Sequence, residues 1–482
     1  MSSTPSSRHV LRLAAGAAVA VALSLSPWTA DVRVGAQQQS GKQALLTGVH
    51  RPADAPEVLR TGQRRGHDAS MLPYMPGHIV VKFSPAVSPQ SMSAMAADIG
   101  GRASASLHHA DFVYVDIPAD ADPVAAAAAM ARMPGVIYAE PDGRVFPTFH
   151  PNDPLYQYQW NFQKIGMERT WDINRGGRSA IIVAVIDTGV AFQDKGNLAQ
   201  APELKGVQFV SPYDFVWDDQ EPVDLDGHGT HITGTIAQAT NNGAGVAGMA
   251  FNVSIMPIKA LYTDWDQELN APFPYGASTV ARAVRYAADN GAKVINLSLG
   301  SPLPNTATRD ALEYAIGKGA FIAIAAGNDG ETGSPLLYPA VYAKDLDGAV
   351  AVAAVDFALN RASYSNANDY VEIAAPGGDT QADLNDDGYG DGIVQQTFDF
   401  DAVQSGVFNQ FIYYFAEGTS MATAHVSGLA ALLMDQGITS PKAVERSIEM
   451  FATDVGARGR DNETGYGVIN TRATIRGLGL RR

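Results

Sequence analysis

Residues 181–190 read IIVAVIDTGV: six consecutive apolar positions from Ile181 to Ile186, then Asp187, Thr188 and the turn-permitting Gly189. An unbroken apolar run rich in β-branched residues indicates a strand buried on both faces, because a strand with one wet face would alternate. Similar runs recur at 254–259 (SIMPIK), 294–299 (VINLSL), 321–325 (FIAIA) and 350–355. Helix-period segments lie between them, among them 279–290 and 309–318. Buried strands separated by helices predict the α/β class, a parallel sheet with helices on both faces. In such sheets ligands bind beyond the carboxyl ends of the strands, so the polar residues there are the candidates for function.

The rest of the chain bounds what that sheet serves. With 482 residues, 46% hydrophobic and 17% charged, more than one folding unit and a large core are expected. The formal charge of −16 argues against nucleic acid or an anionic membrane as partner. No cysteine is present, which excludes disulfides, cysteine nucleophiles and thiolate metal sites. Arg8 and Arg12 precede an apolar run over 13–25 that is shorter than the about 20 residues of a membrane span, and Val34-Gly35-Ala36 follows. Residues 1–36 therefore read as a secretory signal peptide rather than a disordered Ala-rich leader, although the cleavage site is less clear than the apolar core, with export to the extracellular side, the periplasm or the cell surface. No later segment reads as a membrane span. Residues 37–76 read as a low-complexity linker. Strand patterns at 78–83, 103–108, 111–117 and 136–139, with helix patterns at 89–99 and 122–133, give the order βαββαβ. This is a small ferredoxin-like α+β domain over 77–148, of a size that is marginal alone. Residues 149–482 carry the parallel sheet.

Three segments carry candidate chemistry, and each alone leaves a structural reading open. Asp187 after a strand is equally a turn or cap residue. In DGHGTH (226–231) His228 starts a helix between glycines that let a neighbour approach. His228 and His231 at i, i+3 lack the glutamate and third ligand of a zinc helix, so His231 reads as a packed, hydrogen-bonded residue. In EGTSMATAHV (417–426) Ser420 stands at a helix N-terminus, as a cap or as a nucleophile beside unpaired N–H groups. Together, the order Asp187, His228, Ser420 matches one known order of the serine-hydrolase triad. An α/β-hydrolase would need serine first and a glycine where Ala422 stands.

VIDTGV (185–190), DGHGTH (226–231), AAGNDG (325–330) and GTSMA (418–422) together make the sequence resemble the subtilisin-like serine peptidases. NDPLYQYQW (152–160) and GYGVIN (465–470) extend the resemblance over nearly all of the chain after residue 150. The βαββαβ segment resembles the family's inhibitory, chaperone-like propeptide. The resemblance implies a subtilisin-like sheet and a secreted serine endopeptidase without organic cofactor, made as a self-processing zymogen. It implies Asp187, His228 and Ser420 as triad, and Asn328 with the Ser420 N–H as oxyanion hole. Ser298, Leu299 and Gly300 would offer backbone groups to an extended or unfolded polypeptide. Ala325, Ala326 and Gly327 would border the pocket for the residue before the cut, their small size leaving room for a large apolar group, or would simply pack tightly. Residues 77–146 would assist folding, and Gly143 to His150 would lie through the cleft like a product, the propeptide acting as intramolecular inhibitor.

The sequence departs from the family in two places. Ala424 stands where proline is common before the histidine of the nucleophile block, and residues 191–204 lack the family's acidic calcium pattern. A different stretch, Asp383-Leu384-Asn385-Asp386-Asp387-Gly388-Tyr389-Gly390-Asp391, has oxygen ligands at loop positions 1, 3, 5 and 9, Tyr389 at 7 and Gly at 6. Position 12 is Val394 where glutamate is usual, so a structural calcium ion and a solvated acidic turn both fit. The aromatic run Phe411, Tyr413, Tyr414 and Phe415, just upstream of the serine, either lines the cleft or fills a core, packing being the commoner role of aromatic strand residues.

Overall fold

The computed structural model describes residues 74–104, 110–118, 120–143, 149–196, 198–269, 271–272 and 276–477. The expected signal peptide over 1–36 and the linker up to residue 73 lie outside the described residues. The chain divides into two units, with a boundary between Thr148 and Phe149.

The smaller unit contains β1 (Tyr74–Phe83), α1 (Pro89–Asp98), β2 (Arg102–Ala103), β3 (Val113–Asp116), α2 (Pro123–Met130) and β4 (Val136–Gly143). Both helices begin alike. Ser88 and Asp122 accept from the N–H of Ser91 and Val124, and a proline with pre-set φ follows each cap. The antiparallel sheet runs β2-β3-β1-β4 over a core of Ile79, Val81, Val115 and Met130. The βαββαβ order is as expected. β1 begins at Tyr74, ahead of the expected boundary, and β2 ends at Ala103, residues 105–109 lying outside the described set.

The larger unit contains β5 (Ile182–Asp187), β6 (Gln208–Phe209), β7 (Tyr213–Asp214), α3 (His228–Ala237), β8 (Ser254–Lys259), α4 (Ala277–Asp289) and β9 (Val294–Leu297). There follow α5 (Thr306–Gly317), β10 (Phe321–Ala325), β11 (Ala349–Val355), β12 (Val371–Pro376), β13 (Ile393–Phe398), β14 (Phe411–Ala416), α6 (Thr419–Asp435) and α7 (Pro441–Met450). The parallel sheet runs β12-β11-β10-β9-β5-β8-β6, with β7 also on β8. Strands β8 to β12 are buried at every position, which is why their sequences are largely apolar, interrupted only by the buried polar residues Ser254, Lys259, Asn296 and Glu372. α6 packs across β9 to β12. Sixteen of its seventeen residues are buried, and Ala422, Ala424, Gly428, Ala430 and Ala431 let it lie close to the sheet. Among the described residues no helix is long and apolar enough to cross a membrane.

The order β10-β9-β5 decides where the site forms. These three neighbours end at Ala325, Leu297 and Asp187, so their following segments share one edge of the sheet.

Candidate active site

Asp187 is fully buried at the end of β5, and its Oδ1 accepts from the Thr188 N–H at 2.7 Å and from His228 Nδ1 at 2.7 Å. Because the carboxylate can only accept, the imidazole carries a proton on Nδ1 and turns Nε2 outward. The approach of α3 to β5 requires Gly229: a Cβ there would sit 2.1 Å from the Gly189 carbonyl oxygen and 3.1 Å from Asp187 Cβ. Thr188 Oγ1 accepts from the Gly229 N–H and donates to Asp224, whose carboxylate also accepts from the N–H of Asp226, Gly227 and Thr230. From the other side the buried Lys259 ammonium donates to the Thr188 carbonyl at 3.0 Å and pairs with Asp266 at 2.9 Å.

These carboxylates set the charge of His228, whose side chain is 28% exposed. Burial opposes protonation, but Asp187, Asp226 and Asp224 outweigh it and raise the imidazole to about 9. Burial lowers both His231 and His425 to about 4, so they stay neutral. His231 Nε2 donates to the carbonyls of Ile393 and Tyr414, as expected of a packed residue, and His425 is held between the Met421 carbonyl and Asn161.

Ser420 stands in the first turn of α6, which packs beside α3. Its carbonyl accepts from Ser298 Oγ at 3.1 Å, and Ser298 is in turn fixed by Asn296. Ser420 Oγ makes no hydrogen bond to the imidazole among the described residues. Such contacts often tighten only when substrate binds. Asn328, exposed beyond β10, accepts on Oδ1 from the Thr419 N–H at 2.9 Å and from Thr419 Oγ1 at 2.8 Å. That anchoring fixes which end of the amide is oxygen and leaves the Nδ2 donor beside Gly418.

Of the six expected substrate residues, Leu299 and Gly300 border a cavity of about 370 Å³ whose walls include Leu261, Tyr262, Val280 and Tyr342. Ala325, Ala326 and Gly327 are buried and do not line it. Phe149 and His150, the end of the expected cleft-lying tail, pack elsewhere: Phe149 against Trp171 and Phe251, and His150 against Tyr156 and Glu168. Residues 144–148 lie outside the described set. The aromatic run lies on β14, where Tyr413 donates to Glu203, Phe411 stacks on Phe398 and Phe415 on Tyr389.

The acidic loop leaves β12 and returns as β13, whose partner β14 leads directly to Gly418; the Gly418 N–H donates to the Gly377 carbonyl. Asp383 accepts from the N–H of Asp387 and Gly388, and Asp387 from that of Tyr389. Asp391 is 1% exposed, and its Oδ1 has no partner although Oδ2 accepts from the Leu384 N–H. Burial and the charges of Asp383, Asp387 and Asp379 raise its pKa. A buried, unpaired carboxylate oxygen beside further carboxylates fits a divalent cation. The three loop carboxylates are nonetheless less tightly gathered than Glu372, Glu445 and Glu449, whose oxygens lie within 4.8 Å of one another. Burial raises Glu372 to about 8 and Glu445 to about 7, so that group retains protons at neutral pH.

An acid-bound imidazole, a helix-terminal serine and a fixed amide donor at one sheet edge are the parts of a serine hydrolase. Comparison with known proteins agrees. The Subtilase family model matches residues 178–467, and the Fervidolysin N-terminal prodomain model matches 64–142. The thermophilic serine proteinase of Bacillus sp. (strain AK1) is 32% identical over 454 residues, 94% of this chain and 96% of that protein. Thermitase of Thermoactinomyces vulgaris is 35% identical over 64% of this chain and 94% of its own length. The crystal structure of fervidolysin from Fervidobacterium pennivorans aligns with a TM-score of 0.53 at 26% identity, over 84% of this chain and 61% of that one. The chain therefore belongs to the subtilase family of serine peptidases and carries an N-terminal prodomain. The subtilisin-like fold expected from the sequence is the one observed.

Proposed function

We propose that Asp187, His228 and Ser420 form the catalytic triad of an exported, self-processing endopeptidase. The observation that carries this reading is the 2.7 Å bond from the His228 imidazole to the buried Asp187, at the edge where Ser420 stands in the first turn of α6. Nε2 takes the Ser420 proton as Oγ attacks a peptide carbonyl, and the imidazolium is stabilised by Asp187. The oxyanion accepts from Asn328 Nδ2 and the Ser420 N–H. The imidazolium then protonates the leaving amine, and water repeats the sequence on the acyl-enzyme. The end of β10 and the segments after β9 and β10 hold an extended substrate through Ser298, Leu299, Gly300, Ala325, Ala326 and Gly327. The prodomain assists folding and blocks the cleft, and the enzyme cuts its own chain within 143–148.

A serine-directed phosphonate tests the reading: it should label the wild type and not Ser420→Ala, and purified Ser420→Ala should stay uncut at 143–148. A label on another residue, or normal processing of the purified variant, would overturn it.

The pKa of His228 sets the pH profile. An imidazole at about 9 is mostly protonated at pH 7, so kcat/KM should rise about fifty-fold from pH 7 to pH 9. Removing a carboxylate that holds the proton, in Asp226→Asn, should move the midpoint to lower pH. His231 and His425, neutral throughout, contribute nothing to that limb.

Asp383, Asn385, Asp387, Tyr389 and Asp391 would hold a calcium ion, which neutralises the loop carboxylates and takes no part in the reaction. Excess chelator should lower the Tm of the Ser420→Ala protein by about 5 °C, since a site hundredfold saturated contributes about 2.7 kcal/mol. An unchanged Tm and an unchanged rate of loop proteolysis would leave the loop as a solvated turn.

A further inference from the structure

Within the active-site reading above, the residue before the scissile bond is joined to the carbonyl that Ser420 attacks. Its side chain must enter beside the segments that hold the start of α6. Those are 298–300, tied to Ser420 through Ser298, and 326–328, tied to Thr419 through Asn328 and the Gly327 N–H. The small residues on both walls suggest a roomy pocket. The space between them is filled.

Leu337 reaches in from the segment after β10. A Cβ on Gly300 would meet Leu337 Cδ2 at 2.3 Å and Cγ at 2.4 Å, and a Cβ on Gly327 would meet the same Cδ2 at 3.1 Å. One isobutyl group thus lies against both glycines, one on each wall. Its backbone is fixed there. Ser301 and Tyr338 exchange N–H···O bonds of 2.7 and 2.8 Å, and the Leu337 carbonyl accepts from the Val341 N–H at 3.0 Å. Leu337 is only half-buried and does not join the main core cluster, unlike its neighbours Tyr338 and Val341. An apolar side chain held on a pinned backbone, outside the core and between the two walls, is placed to meet a substrate side chain.

We propose that Leu337 is a specificity-determining residue that shortens the pocket, so that the enzyme cuts after small residues such as alanine rather than after phenylalanine or leucine. This runs against a pocket with room for a large apolar group, one of the two readings that the small wall residues leave open. Size discrimination in an apolar pocket reaches roughly 10- to 200-fold per methylene, so a blocking leucine acts strongly on a benzyl group.

The test uses mature enzyme whose active sites are first counted by phosphonate titration, then assayed on succinyl-Ala-Ala-Pro-X p-nitroanilides with X alanine, leucine or phenylalanine. The wild type should favour alanine over phenylalanine by at least tenfold in kcat/KM. Leu337→Gly and Leu337→Ala should shift the phenylalanine-to-alanine ratio upward by at least tenfold per titrated site. A titratable wild type that prefers phenylalanine or leucine, or titratable variants with an unchanged ratio, would overturn the proposal. A wild type with no titratable serine would instead overturn the active-site reading. The wild type alone also decides the matter through the termini of peptides released from a denatured protein. Small residues at the new C-termini support the proposal, and large apolar ones refute it.

Discussion

His228→Ala should lower kcat about a million-fold while the protein still folds and binds peptide, the magnitude being that established for the histidine of subtilisin itself. The reason follows from the proposed triad: with the imidazole removed, the Ser420 proton loses its assigned acceptor, and Asp187, 0% exposed behind it, is not placed to take over. The acid should matter less than the base. Asp187→Asn keeps a group in contact with Nδ1 but can favour the wrong tautomer, for which about a ten-thousand-fold loss is typical of such triads. Stopped assays on variants quantified by absorbance and freed of the prodomain by an added peptidase, since neither can be counted by phosphonate, would check both, and a His228→Ala rate within a hundredfold of wild type would remove His228 from the proton path.

Asn328→Ala should lower kcat about a hundred- to a thousand-fold with little change in KM, again a magnitude established for subtilisin. Oδ1 of Asn328 is engaged by Thr419, so the amide cannot flip and Nδ2 is the end left to donate. A donor aimed at charge that exists only in the transition state affects kcat, whereas a residue that merely props up α6 would alter stability and KM together. Asn328→Ala also deprives the Thr419 N–H and hydroxyl of their acceptor, so a thermal melt belongs beside the kinetics. A normal kcat with a lowered Tm would reduce Asn328 to a prop.

The large features are legible because burial writes them plainly into the string. Fully covered strands leave no polar alternation, which is why the apolar runs of β8 and β10 coincide with the strands to the residue. The run 294–299 overshoots its strand: β9 ends at Leu297, and the next residue, Ser298, gives its hydroxyl to the Ser420 carbonyl. β12 and the β13–β14 pair are harder to see, since Gln395, Gln396 and Thr397 are polar yet buried. Asp187, His228, Asn328 and Ser420 stand out through their neighbours in four short blocks. Asp224 and Lys259, which brace the Asp187–His228 pair, escape a reading of the sequence, although a lysine inside the apolar run 254–259 is a visible irregularity. Leu337 leaves no signal at all, because its meeting with Gly300 and Gly327 joins three segments far apart in the chain.

The contact between Gly229 and the strand turn at Gly189 has an evolutionary consequence. It is backbone against backbone, so the acid-to-imidazole spacing rests on a hard stop rather than on the bulk of surrounding side chains. No side chain fits at position 229 while this spacing is kept, so as the sequence diversifies, a change at this one glycine would push the imidazole away from the acid even with every polar partner of the pair left in place.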